Sequence, residues 1–179
     1  MLVTSPAEGR FEGRDAVLAE IASAKHEIEI QQQYIWDPEV VGALVAACHR
    51  GVSLRVMIPN PEQVGILHDV NSDNVEKLIQ AGGQARWYLG LTPTAHLHTK
   101  YFSIDDRWAL DGSMNADPLS TMDNQELGVA TTDATLIAQW KQQLFETDWA
   151  QHSEAFVYHQ PAVVWRPFFS VLDLLAYYM

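Results

Sequence analysis

Between Glu27 and Ile58 the sequence alternates two kinds of segment that can only be buried together. Glu27-Ile28-Glu29-Ile30 puts apolar residues at every second position and runs on through Gln31 to Ile35, the pattern of a strand. Asp37-Pro38-Glu39 then starts a helix, with Asp as the N-cap acceptor, proline at the first helical position and an acid in the first turn. Val41, Leu44, Val45 and Cys48 follow at helical spacing as far as Gly51. Val52 to Ile58 is a buried type of strand, closed by Pro59-Asn60-Pro61. A strand–helix–strand unit needs a sheet covered by helices, so the fold class is α/β, a mixed β-sheet flanked by helices.

The remaining elements fit this scheme. The first ten residues, with Pro6 and Gly9, read as a lead-in loop, and Val17, Leu18, Ile21 and Ala24 mark a short amphipathic helix from Asp15. Asp73 followed by Glu76 resembles a capping box, opening a helix that Gly82-Gly83 ends. Strands are expected over 85–89, 98–104, 108–111 and 126–131, with a loop containing Pro93 between the first two. Asp133 caps a long helix whose apolar side includes Leu136, Ile137, Trp140, Leu144 and Trp149. The 179 residues are enough for one domain, placed at 1–155, with an aromatic-rich tail or helix at 156–179.

Composition removes several classes of function. Cys48 is the only cysteine, which excludes an intramolecular disulfide framework and any site built on several thiolates. The N-terminus lacks a basic-then-apolar signal pattern, and no apolar run approaches the ~20 residues of a spanning helix, so a cytoplasmic or peripheral membrane location is expected. The net charge of −12 is spread along the chain and argues against an extended surface that tracks phosphates. An anionic substrate would have to be held by a few local groups.

One segment supplies such groups. His98-Thr99-Lys100 is followed by Asp105 and then by Gly112-Ser113-Met114-Asn115. Two residues apart on a strand, His98 and Lys100 project to one face, a poor choice for a core and a good one for a phosphodiester. Lys100 can neutralise non-bridging oxygens, and His98 can attack phosphorus or move a proton near neutral pH. Gly112 lets the backbone approach an anion, while the Ser113 hydroxyl and Asn115 amide add neutral donors. Glu126 is a candidate acceptor for the His98 Nδ1 proton. His96 precedes on the same face, but His-x-His alone is a weak metal signal and reads as a rim residue.

His98-x-Lys100-x4-Asp105-x6-Gly112-Ser113-x-Asn115 resembles the HKD motif of the phospholipase D superfamily. Asn115-x-Asp117-x-x-Ser120-x3-Asn124-x-Glu126 is similar to the extension found in cardiolipin synthases and related phosphatidyltransferases, with Leu119 departing from the Arg common there. Residues 28–59 and the closing Phe145-Glu146-x-Asp148-Trp149 look like the same family. The resemblance implies a phosphodiesterase or phosphatidyltransferase that needs no metal or cofactor. One His would form a phosphohistidine, and a second motif would supply the His that protonates the leaving alcohol. Lys100, Ser113 and Asn115 would hold the phosphate, and Asp105 would be structural. With a single motif in the chain, the resemblance implies a homodimer, with phospholipid or another phosphodiester as substrate.

Three other readings compete. An HKD-type nuclease is disfavoured by the acidic balance and by only four lysines, one of them Lys100. A non-catalytic module keeping the fold is a second, and one half of a two-motif protein is a third. In the tail, Phe168, Val171, Leu172, Leu175 and Tyr178 share a helical face; with only Arg166 basic, packing on the domain or a dimer is favoured over a membrane surface.

Overall fold

The computed structural model describes residues 1–61, 67–92 and 95–158. The tail over 163–179, Pro93 and the side chain of His68 lie outside that description. Strands β1 (Leu2–Ser5) and β2 (Arg10–Phe11) precede helix α1 (Glu12–Ser23), then β3 (Glu27–Gln32), α2 (Pro38–His49), β4 (Ser53–Pro59), α3 (Leu67–Gln80) and β5 (Gln84–Tyr88). An antiparallel series follows: β6 (Lys100–Ile104), β7 (Trp108–Gly112) and β8 (Glu126–Thr131). Helix α4 (Ala134–Lys141) continues through a wide π-type turn into α5 (Thr147–Gln151), and β9 (Ser153–Ala155) closes the described chain. No described helix is long and apolar enough to cross a membrane.

These strands form one sheet in the order β2-β1-β8-β7-β6-β3-β4-β5-β9. The α/β expectation of a mixed sheet flanked by helices holds: β3, β4 and β5 are parallel, and every other pairing is antiparallel. Alternation along the strands sorts the core into two layers. Ile28, Ile30, Val56, Ile58, Phe102 and Ile104 pack with Val17, Ile21, Leu44, Val75 and Leu78 of the first three helices. Met57, Tyr88, Leu97, Tyr101 and Ala109 face the other way, onto Ile137 and Phe145 of the C-terminal helical segment. That segment is also fastened by charge. Arg55 bridges the buried Glu29 and Glu146, and Lys141 pairs with Glu27 and Asp106 at 2.5 and 2.8 Å.

Asp37 caps α2 as anticipated, its Oδ1 accepting from the Glu39 and Val40 N–H groups at 2.8 and 3.0 Å. Other expectations are corrected. The lead-in loop is two short strands, because Leu2–Thr4 pair with Glu126–Gly128 from the far end of the domain. α1 begins at Glu12 rather than Asp15, and α3 is already helical at Leu67, so Asp73 is an interior residue that accepts from the Tyr158 hydroxyl at 2.6 Å. β3 stops at Gln32, three residues short of Ile35, and β6 begins at Lys100 rather than at residue 98.

Asp105 joins the turn after β6 to the start of β3. Its carboxylate accepts from the backbone N–H groups of Lys25, His26 and Glu27 at 2.9, 2.8 and 2.9 Å. Asp105 and Asp106 both have left-handed backbone (φ 52° and 51°), and Arg107 N–H bonds the Ile104 carbonyl at 3.0 Å. The result is a primed hairpin turn that Asp tolerates better than most residues. Burial opposes ionisation of Asp105, but the three N–H donors outweigh it and hold the carboxyl below its ordinary range. A folded-state value below the unfolded one gives stability that is present above the unfolded pKa and lost as pH falls through the folded one. Urea unfolding at pH 7 is therefore expected to show Asp105→Ala destabilised by about 2–4 kcal/mol. The gap to wild type should narrow below about pH 3; a gap that stays constant with pH would refute this role for the carboxylate.

Candidate active site

The site forms where strand ends meet. Phe102 pairs with Leu110 across β6 and β7, and Gly112 with Gly128 across β7 and β8. Continuing that register sets Lys100 opposite Gly112, so the start of β6, the end of β7 and the start of β8 share one edge. Gly112 is required there, since a Cβ would run into the Leu127 carbonyl and lie 2.7 Å from the Gly128 Cα.

Lys100 is 4 % exposed, so its stem is packed and its ammonium is desolvated. Its Nζ donates to the His98 carbonyl at 2.8 Å and to Gln33 Oε1 at 3.3 Å. Burial pushes the Lys100 pKa down, and the carboxylates of Glu126, Asp117 and Asp111 act against that from further away. His98 stands outside the strand, exposed, between buried Leu97 and buried Lys100. The expectation that it shares a strand face with Lys100 is thus replaced by a closer link, the bond from the ammonium to its own carbonyl. The charge of Lys100, and then burial, push the His98 imidazole below its ordinary 6.5. At neutral pH it is therefore an uncharged ring with an available lone pair.

Ser113 sits just past β7, its N–H donating to the Leu127 carbonyl at 3.0 Å and its Oγ accepting from Leu127 N–H at 3.0 Å. The Ser113 hydroxyl donates to Glu126, whose other oxygen accepts from the Asn124 amide at 3.5 Å. Within one chain Glu126 is thus bonded to Ser113 and Asn124, not to His98 Nδ1, because it lies on β8 while His98 lies before β6. Met114 turns into the core, and Asn115 is half-buried with its Oδ1 enclosed and lacking a hydrogen-bond partner. Asp105 is at the opposite end of β6 and has no part in this cluster. His96 is exposed, and no group of three or more His, Cys, Asp or Glu able to hold a metal ion occurs among the described residues.

The structure adds residues that the motif does not contain. After β3 the chain turns along Asn115–Asp117: the Trp36 and Asp37 N–H groups reach the Ala116 carbonyl at 2.8 and 2.9 Å, and Ala116 N–H reaches the Tyr34 carbonyl at 3.1 Å. Thr121 Oγ1 donates to Asp37 Oδ2 at 2.5 Å, tying the same segment to the cap of α2. Gln32 is fully buried beside Lys100 with both amide atoms lacking partners. The sequence signal for these residues is Gln31-Gln32-Gln33, three consecutive amides ending a strand that is otherwise apolar on one face.

An uncharged imidazole, a buried ammonium, a hydroxyl and an amide on one edge can bind a tetrahedral anion and attack it. Residues 17–149 match the family model described as cardiolipin synthase, PLD-like domain. The chain is 28 % identical over 137 residues to the major cardiolipin synthase ClsA of Bacillus subtilis, covering 75 % of this chain and 28 % of that protein. It is 33 % identical over 113 residues to the 5'-3' exonuclease PLD3 of Rattus norvegicus, covering 62 % of this chain and 22 % of that one. The chain thus spans about a quarter of the length of these relatives. Among solved structures, the phospholipase D family member Nuc from Salmonella typhimurium superposes with a TM-score of 0.71 at 23 % identity, over 86 % of this chain and 97 % of that one. With the family model matched over most of its length and the fold shared, the chain belongs to the phospholipase D superfamily.

Proposed function

We propose that the protein is a metal-independent phosphodiesterase, acting by phospholipase D-like hydrolysis or phosphatidyl transfer, whose active site is completed by a second copy of the chain. The supporting observation is the pairing of an exposed, uncharged His98 with a buried Lys100 that meets no carboxylate at ion-pair distance among the described residues. A nucleophile and an unspent positive charge on one edge are what an attack on a phosphodiester needs. Lys100, Ser113 and Asn115 bind the non-bridging oxygens. A His98 ring nitrogen, uncharged, bonds to phosphorus as the bond to the leaving alcohol breaks, and the partner's His98, in its protonated form, gives that alcohol its proton and becomes uncharged. The partner's His98 then removes a proton from water or an acceptor alcohol, which attacks phosphorus and releases the P–N bond. Glu126 orients Ser113 through the bond to its hydroxyl.

The need for a second His98 is matched by the surface around the site. Leu119, Met122, Leu127 and Val129 are exposed, between 40 and 51 % of their area, on segments directly adjoining Ser113 and Glu126. Apolar side chains gathered beside a half-complete site favour coverage by a partner. The acidic balance and the single site lysine favour a phospholipid over a polynucleotide substrate.

Hydrolysis of a chromogenic phosphodiester in EDTA should persist in wild type and fall about 10³-fold or more in His98→Ala; equal rates would refute the reading. Because His98 must be uncharged to attack, activity should fall on the acid side with a midpoint below 6.5. Sedimentation at micromolar concentration should give a dimer, and Leu127→Glu with Val129→Glu should give a monomer without activity. A parallel assay on phosphatidylglycerol, cardiolipin and single-stranded DNA is expected to show turnover of lipid; turnover confined to DNA would establish a nuclease instead.

A further inference from the structure

Among the described residues Lys100 is held by neutral acceptors alone, and one of them is positioned by a residue outside the motif. We propose that Gln33, held in place by Asn71, is a positioning residue that aims the Lys100 ammonium while leaving its charge uncompensated for the phosphate. The inference rests on the phosphodiester reading of the site and concerns how its charge is kept available.

The geometry is specific. An ammonium has three N–H donors. Those of Lys100 serve the His98 carbonyl at 2.8 Å and Gln33 Oε1 at 3.3 Å, which leaves one for a ligand oxygen. Gln33 is the first residue after β3, where strand alternation no longer dictates the direction of its side chain. Asn71, on α3 and fully buried, supplies the direction by using both ends of its amide. Its Nδ2 donates to the Gln33 carbonyl at 2.8 Å, and its Oδ1 accepts from Ile35 N–H at 2.9 Å. The clamped segment then runs directly into the pairing of Tyr34 and Trp36 with Ala116, next to Asn115. One turn of backbone therefore links two of the proposed phosphate-binding side chains.

The choice of amide over carboxylate matters because the site is poorly solvated. A glutamate at position 33 has the same shape, but it would form an ion pair with a 4 %-exposed ammonium, and the attraction is strong where water is excluded. The charge meant for the substrate would be spent within the protein. Its effect on His98 would be spent too, since Lys100 is the main cause of the depressed imidazole pKa. An amide oxygen accepts the bond and leaves the charge in place.

Three measurements on the full chain test this: inorganic phosphate affinity by calorimetry, His98 titration by NMR, and thermal melting. Gln33→Glu should melt no lower than wild type, bind phosphate at least about tenfold more weakly, and titrate His98 at a higher pH than wild type does. Gln33→Met removes the acceptor without adding charge, so phosphate binding should weaken several-fold while His98 titrates as in wild type. Unchanged phosphate affinity and His98 titration in Gln33→Glu would overturn the proposal. So would equal effects of the two variants on His98, since these would mark a packing role. If wild type neither binds phosphate nor cleaves a phosphodiester, the functional reading fails; the His98 shift in Gln33→Glu still reports whether residue 33 controls the charge of Lys100.

Discussion

Three backbone N–H groups converging on the Asp105 carboxylate set the alignment on which the site depends. They join the turn between β6 and β7 to the start of β3, and β3 is the strand where the parallel and antiparallel halves of the sheet meet. The β3–β6 register is thereby pinned at the end remote from the site. Side chains alternate between faces, so a slip of one residue would turn Lys100 toward Phe145 and Trp149 and expose Tyr101's position to the other layer. A carboxylate at the far end of β6 thus decides which residue faces the edge shared with Gly112 and Ser113.

The site itself follows from a conflict between burial and charge. Lys100 is drawn under cover by packing of β6 between two helical layers, where a charge is costly to bury. A neighbouring carboxylate would ease burial and neutralise the charge. Two neutral oxygens take two of its three donors instead, and more distant carboxylates limit the fall in its pKa. The lowered pKa of His98 is the counterpart of that solution: a positive charge left unpaired keeps its neighbour uncharged. The charge of Lys100 and the protonation of His98 are therefore set by one electrostatic choice.

Much of this was legible in the residues. The cap at Asp37 and the strands on either side of α2 depend on local chemistry, and they form where the pattern places them. The motif from His98 to Asn115 was readable because its residue types are costly in an ordinary core. What escaped depends on distant partners. Leu2–Thr4 form a strand only because Glu126–Gly128 offer an edge, so a short segment with Pro6 nearby carries no signal of its own. Asp73 imitates a cap because a capping box is a local pattern, whereas tertiary packing carries α3 back to Leu67. Glu126 was expected to accept from His98, whereas its bond to Ser113 depends on pairing of β7 with β8, which no spacing reveals. Gln33 and Asn71 are 38 residues apart and meet only through the fold.

The rims of the sheet have their own consequence. Among the described residues the sheet ends on one side in β2, two residues long, and on the other in β9, three residues long. A long bare rim would invite strand-by-strand extension into open-ended aggregates, because each added strand exposes the same unpaired backbone again. Rims this short offer such growth almost no foothold.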